Sequence, residues 1–364
     1  MITKIKTALI IIPAWLLFTG PILHAQQSNT SYFMFGVPQS NLLNPATQPG
    51  CNFYLGLPGA APLRVNLENS AFGIEDVIFE DPMSDSLITF MHPNANLKDF
   101  LSNFKDVNDV NMEFGTSIAS FGFRVKDWYF SMDVSEKVSV RVSYPGDMIK
   151  LALEGNDPGD HFDFSGLGLN TTAYQEFAVG ASKKFSEEFT AGVRGKLLFG
   201  LANLSTNSSE IGITTGIDKW DIRSKFDAHG SIPFSKIPVV DGNYKFDSIT
   251  FQDNINYYDA RQAAFSNVGL AIDLGAHLSV DRFIFSASLI DLGFIHWKND
   301  TYNLSQDASF TYDGVDVPFV DSIDIGDGLL DSLDNTFVFV NSYAPYNTHL
   351  NGKLYLGGRF MVSP

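Results

Sequence analysis

The chain has 364 residues, 24 basic and 41 acidic side chains, a formal charge of −17 and a mean hydropathy of +0.01. An acidic balance of this size excludes nucleic acid as a partner, because phosphate binding needs clustered Lys and Arg. A single cysteine, Cys51, excludes a disulfide framework and any paired-cysteine metal site.

The first 25 residues read as an export signal. Lys4 and Lys6 form a positive start, Thr7 to Leu23 is largely apolar, and Leu23-His24-Ala25 presents a small residue for cleavage before Gln26. Pro13, Gly20 and Pro21 break the apolar run, and Cys51 lies too far on to carry a lipid anchor. Cleavage would leave 22 basic against 41 acidic residues, a formal charge of −19. Beyond this segment no stretch approaches 18 continuous apolar residues, which argues against a helical membrane protein.

Gln26 to Gly50 is polar and irregular and contains Asn44-Pro45-Ala46, which on its own reads as an Asn-Pro turn. A short strand candidate, Phe53 to Leu57, precedes Pro58, Pro62 and an acidic stretch from Glu75 to Asp85. Leu97, Phe100, Leu101 and Phe104 then recur at helical spacing behind Asn96, a good N-cap. Such a helix would serve as a plug, lie at an interface, or pack on a β-core.

From residue 112 the pattern has a period of two. In Trp128 to Ser143, Trp128, Phe130, Met132, Val134, Val138, Val140 and Val142 share one face with Glu136. Tyr129, Ser131, Asp133, Ser135, Lys137, Ser139, Arg141 and Ser143 share the other. At roughly 3.3 Å per residue this strand runs about 50 Å, long for a globular sheet and suited to the wall of a transmembrane barrel. A strand of a soluble β-sandwich shows the same alternation.

Paired strands follow. Met112 to Val125 meets Trp128 to Ser143 across Lys126-Asp127, Thr172 to Lys184 meets Phe189 to Phe199 across four residues, and Phe265 to Val280 meets Phe283 to Leu292 across Asp281-Arg282. Long connections, 144–171, much of 200–264 and 313–351, separate the pairs. Short turns alternating with long loops are what outer-membrane barrels show. Val268, Leu270, Ile272 and Leu274 fall opposite Asp273 and His277, and Phe189, Val193 and Leu197 fall opposite Arg194 and Lys196. Arg194, Lys196, Asp273 and His277 are therefore the candidate polar lining of a lumen. Trp128, Tyr129, Tyr174 and Trp220, near strand ends, are candidates for aromatic belts. Strand 112–125 is less clean, with small residues on both faces.

Ser143 to Glu154 reads as a helical turn after Pro145, closed by a turn-rich Gly155-Asn-Asp-Pro-Gly159. Asp313, Asp316, Asp321, Asp324, Asp327, Asp331 and Asp334 form an acidic loop that would hold Ca²⁺ or remain solvated; the spacing is not that of an EF-hand, and no metal site is assigned. No HExxH, GxSxG or phosphate-binding glycine loop is present, and four residues along a strand separate Asp273 from His277 by roughly 13 Å. Neither an enzyme nor a cofactor is expected. About ten strand candidates are countable, and the last ends at Val362-Ser363-Pro364 without a terminal aromatic, so the reading favours a chain truncated at its C-terminus over strands missed in 200–264 and 313–351.

Asn44-Pro45-Ala46 shortly after an export signal resembles the hatch motif of FadL-type outer-membrane channels and of PorV- and PorP-like proteins of type IX secretion. Val268-Gly-Leu-Ala-Ile-Asp-Leu-Gly-Ala276 and Ser288-Leu-Ile-Asp-Leu-Gly-Phe-Ile-His-Trp297 look like strand segments of an uncharacterised family of such barrels, common in Gram-negative bacteria of the Bacteroidota type. The resemblance implies an all-β, antiparallel transmembrane barrel with a signal peptide (1–25), a hatch-like segment (26–50) carrying Asn44, Pro45 and Ala46, and a barrel (51–364) in outer-membrane lipid. It implies passive, porin-like uptake of small hydrophobic or amphipathic molecules. Alternatives are a non-transporting accessory barrel, partnered by secretion-machine or surface proteins, and a secreted soluble β-sandwich adhesin. An apolar pocket behind residues 41–50 would favour uptake; a polar, plugged lumen with an apolar patch on the outer loops would favour the accessory role.

Overall fold

The computed structural model describes residues 31–34, 36–57, 63–233, 235–236, 239–240, 243–244, 250–251, 265–312 and 340–361. Residues 1–25, read as an export signal, and the aspartate-rich stretch 313–334 lie outside them. The main sheet is built from β1 (Phe53–Gly56), β2 (Leu63–Asn69), β3 (Val107–Val125), β4 (Trp128–Pro145), β5 (Gly168–Lys184), β6 (Phe189–Thr215) and β7 (Trp220–Ser231), then β8 (Asn267–Val280), β9 (Phe283–Trp297), β10 (Thr301–Tyr312), β11 (Val340–Ser342), β12 (Tyr346–His349) and β13 (Lys353–Phe360), with the short His161–Asp163 pairing along the end of β6.

The ladders resolve into eight antiparallel rows. β1 and β2 pair with successive parts of β3, which pairs with β4, then β5, then β6. One edge of β6 carries β7 along its second half and β8 along its first, so β7 and β8 form one row interrupted by 232–266. β9 and β10 form the next row, broken only at 298–300, and β11, β12 and β13 descend along them as the eighth. Twenty strands are assigned among the described residues against the expected ten or so, and missed strands lie inside both 200–264 and 313–351, the alternative ranked below truncation. Two boundaries also change. The strand expected to end at Phe199 runs on to Thr215, and part of the expected connection 200–264 is β7.

Strict alternation fails at four bulges, each explicable by one extra residue that flips the faces beyond it. In β3 the register shifts between Ser117 and Ala119. Met112 and Phe114 share the outer side before it; Phe121, Phe123 and Val125 share it afterwards. This accounts for the unclean pattern of 112–125. The others lie between Ala173 and Tyr174 in the β5–β6 ladder, Asp227 and Ala228 in the β7–β6 ladder, and Ile272 and Leu274 in the β8–β9 ladder. Lys126 and Asp281 take left-handed backbone at the tight turns, with φ of 54° and 53°.

The sheet is inverted relative to a water-soluble core. Its covered face carries Asp133, Ser135, Glu176, Arg194, Lys196 and Asp273, all under 5% exposed. Its open face carries Val179, Leu270, Leu354 and Leu356, all more than half exposed. Side chains of the second and eighth rows meet where Lys353 pairs with Glu113, so the sheet curls around its polar face. Among the described residues no ladder joins the first row to the eighth. Tyr129 and Tyr174 point to the covered face and are not belt residues; Trp128 is on the open face, 42% exposed.

At the end opposite the tight turns, residues 70–106 make a small cap. It holds helix α1 (Leu97–Ser102), whose N-cap Asn96 accepts a hydrogen bond from the Lys98 amide, and a hairpin of Ile78–Glu80 with Leu87–Thr89. Phe72, Phe90, Phe100, Phe104 and Tyr144 pack together, Phe90 on Phe100 with centroids 4.0 Å apart. Packing on Tyr144, at the end of β4, makes α1 part of this cap; it does not plug the interior. Phe100→Ala should cost the cap about 3–5 kcal/mol; limited proteolysis should then cut within 70–106 while the strands stay protected. Helix α2 (Gly146–Glu154) follows Pro145 as the sequence predicts and stops at Gly155, whose φ is 78°.

Candidate functional site

The interior is filled at the tight-turn end by residues 31–50. A 3-10 turn, Pro38–Leu42, leads into Asn44-Pro45-Ala46. Asn44 is fully buried: its Oδ1 accepts the Ala46 amide at 2.9 Å, closing an Asx turn, and its Nδ2 donates to the Tyr32 hydroxyl at 3.2 Å and the Ala287 carbonyl at 3.4 Å. Asn41 Nδ2 donates to the carbonyls of Pro45 and Thr47, at 3.2 and 2.8 Å. The sheet grips the segment from several strands. Ser288 Oγ donates to the Leu43 carbonyl at 2.7 Å, Thr47 Oγ1 lies 2.9 Å from His277 Nε2, and Arg124 donates to Gln48 Oε1 and the Pro49 carbonyl, both at 2.6 Å. Gly192 and Gly275 lie directly beneath: a Cβ on either would overlap Pro45 or the Asn44 side chain. Tyr32 stacks on Tyr355 of β13.

Further along the interior lies a lattice of buried charges. Lys196 Nζ sits 2.8 Å from Asp273 Oδ1, 2.5 Å from Asp291 Oδ1 and 3.5 Å from Glu176 Oε2. Lys137 Nζ reaches Glu176 at 2.7 Å and Asp291 at 3.3 Å. Arg194 Nη2 lies 3.5 Å from Glu176 and 3.8 Å from Asp133, whose Oδ2 accepts from Ser117 Oγ at 2.5 Å. Three cations face four carboxylates, so one formal negative charge is in excess. Asp273 Oδ2, Asp133 Oδ1 and Arg194 Nη1 are buried with no hydrogen-bond partner. The lattice ties β3, β4, β5, β6, β8 and β9 together. Among the described residues no group of three or more His, Cys, Asp or Glu is placed to hold a metal ion.

The structure therefore brings Arg194, Lys196 and Asp273 into one cluster and sends His277 to the N-terminal segment. Four further members, Asp133, Lys137, Glu176 and Asp291, were not selected as site residues from the sequence. Asp133 and Lys137 stood on the polar face of β4 and were passed over. Asp291 was hidden by the bulge opposite Ile272–Leu274. Its φ of 59° and its amide bond to Asp273 Oδ1 at 2.8 Å turn it inward, although strict alternation puts it with Phe283, Phe285, Ala287 and Leu289 on the open face. A charge on an otherwise apolar parity was the available sign of that flip.

Beside the lattice, between β2 and β3 on one side and β12 and β13 on the other, is a cavity of about 450 Å³. Leu43, Leu63, Tyr174 and Tyr355 contribute apolar wall; Arg64, Lys137, Arg141, Arg194 and Lys353 face it, as do Glu113, Asp133, Glu176 and Asp291. An apolar cluster of Leu198, Ala271, Ile295, Trp297 and Tyr346 backs Tyr174.

A family profile described as "Family of unknown function (DUF5723)" matches residues 45–363. The chain belongs to this family. The DUF5723 match begins at Pro45, inside the buried Asn44-Pro45-Ala46 turn, and runs through every strand row. No curated protein and no solved structure matches the chain.

Proposed function

We propose that this DUF5723 protein is an outer-membrane β-barrel that acts as a non-transporting accessory barrel, its outer cap docking a surface or secretion-machine protein. The observation that carries the reading is the inverted sheet with a filled interior. An open face carrying Val179, Leu270, Leu354 and Leu356 is stable against lipid and unstable against water, while the charges of the lattice, which lipid would exclude, are paired inside. Residues 31–50 and the charge lattice leave a polar, plugged lumen, the condition that favours the accessory role. The cap supplies the other half: Ile74, Met83, Leu87 and Met91 are strongly exposed there, as is Ile217 at the β6–β7 turn. The resemblance to PorV- and PorP-like proteins agrees with this role.

The second reading, FadL-like uptake gated by the N-terminal segment, draws on the cavity of about 450 Å³ behind that segment. A soluble β-sandwich adhesin would need a further layer over the outer face. Fractionation and bilayer recording separate the three. The accessory reading predicts recovery in the outer-membrane fraction, gel mobility that changes on heating in detergent, and no conductance above an empty planar bilayer. Solute flux through the wild-type protein would establish uptake, and recovery in a soluble fraction would leave the sandwich.

A further inference from the structure

The cavity between β2/β3 and β12/β13 has a charge balance opposite to that of the chain. Acidic residues outnumber basic ones by 41 to 24 overall, yet five cationic side chains face this space against four carboxylates. All four carboxylates already have partners. Glu113 pairs with Lys353, Glu176 and Asp291 share Lys137 and Lys196, and Asp133 accepts from Ser117 beside Arg194.

The cations are less fully used. Among the described residues Arg64 and Arg141 make no ion pair; Arg141 spends its Nε on Asn111 Oδ1 at 2.8 Å. A guanidinium without an anionic partner leaves its planar N–H fork free for an acceptor, and such forks match carboxylate and phosphate oxygens. Arg64 and Arg141 open on the same space. Arg64 is level with Gly115, which has no side chain, and Gly115 with Lys137 of the lattice.

We propose that this cavity is a binding site for an oxyanion, a carboxylate or phosphate group carried by a small solute or by a lipid headgroup, held by Arg64 and Arg141. A volume of about 450 Å³ lies in the range of small-metabolite sites. The site needs only the interior geometry, so it stands or falls separately from the docking role.

The test is calorimetric titration of the purified, delipidated full-length protein with inorganic phosphate, with succinate, and with micelles of a phosphate-headed lipid. Arg64→Gln and Arg141→Gln are the variants, since neither side chain belongs to the charge lattice. Saturable binding, weakened at least about tenfold in each variant and by added chloride, is expected. Saturation by phosphate or succinate would identify the source as a free solute; saturation only by the lipid would identify a headgroup. Unchanged heat-modifiable gel mobility of both variants would exclude misfolding as the cause of the loss. Absence of saturable binding by all three probes at millimolar concentration, or equal binding by wild type and both folded variants, would overturn the proposal.

Discussion

Lys196→Met should lower the unfolding midpoint of the protein in detergent by roughly 5–10 °C, read as heat-dependent gel mobility at a fixed heating rate. Lys196 Nζ is the only group that contacts Asp273, Asp291 and Glu176 together among the described ion pairs. Methionine keeps most of the volume and removes the charge, leaving Asp273 with no ion-pair partner at 0% exposure. Breaking a buried pair from one side costs about 3–5 kcal/mol, chiefly for the charge left behind. Lys196→Met combined with Asp273→Leu removes that charge too and should recover most of the loss. If the single variant is as stable as wild type, the lattice does not hold the sheet together. If the double variant is no better than the single, Asp273 is not the stranded group.

Gly275→Val should release the N-terminal segment while the strands stay paired. Any Cβ there overlaps the Asn44 side chain and crowds Pro45 and Ala46, and the valine branch adds to the collision. Overpacking of this kind costs about 1–3 kcal/mol, while β8 is paired to β6 from Asn267 to Leu278 and to β9 from Val268 to Val280. The segment is therefore the part that yields. A protease added from the tight-turn side should cut within residues 31–50 of the variant and spare the wild type. In planar bilayers the variant reports what lies beyond the segment. Conductance appearing only in Gly275→Val would make residues 31–50 the seal; continued silence with a cleavable segment would make the charge lattice the seal. Full protection of the variant segment would show that the segment is not seated on Gly275.

Legibility in the sequence followed locality. The long alternating strands, the tight turns at Lys126-Asp127 and Asp281-Arg282, the Asn96 cap and the helix after Pro145 were readable, because each depends on neighbours a few residues away. Arg194, Lys196 and Asp273 were readable as one polar face for the same reason. The bulges marked where this reasoning stopped: Asp291 and the second half of β6 depend on one extra residue that reverses parity, and Tyr129 and Tyr174 were misassigned to belts although parity put Tyr129 on the polar face.

By itself the sequence determined an antiparallel all-β chain with one apolar and one polar strand face, since side-chain period and turn chemistry are properties of consecutive residues. Tertiary structure decided which face is covered, that interrupted strands join into eight rows, and that Asn44-Pro45-Ala46 sits against Gly192 and Gly275. It also decided that Lys196, from one strand, meets carboxylates from three others. Those facts depend on contacts between residues as far apart as Leu43 and Ser288, and periodicity along a chain carries no record of which distant strand will lie opposite.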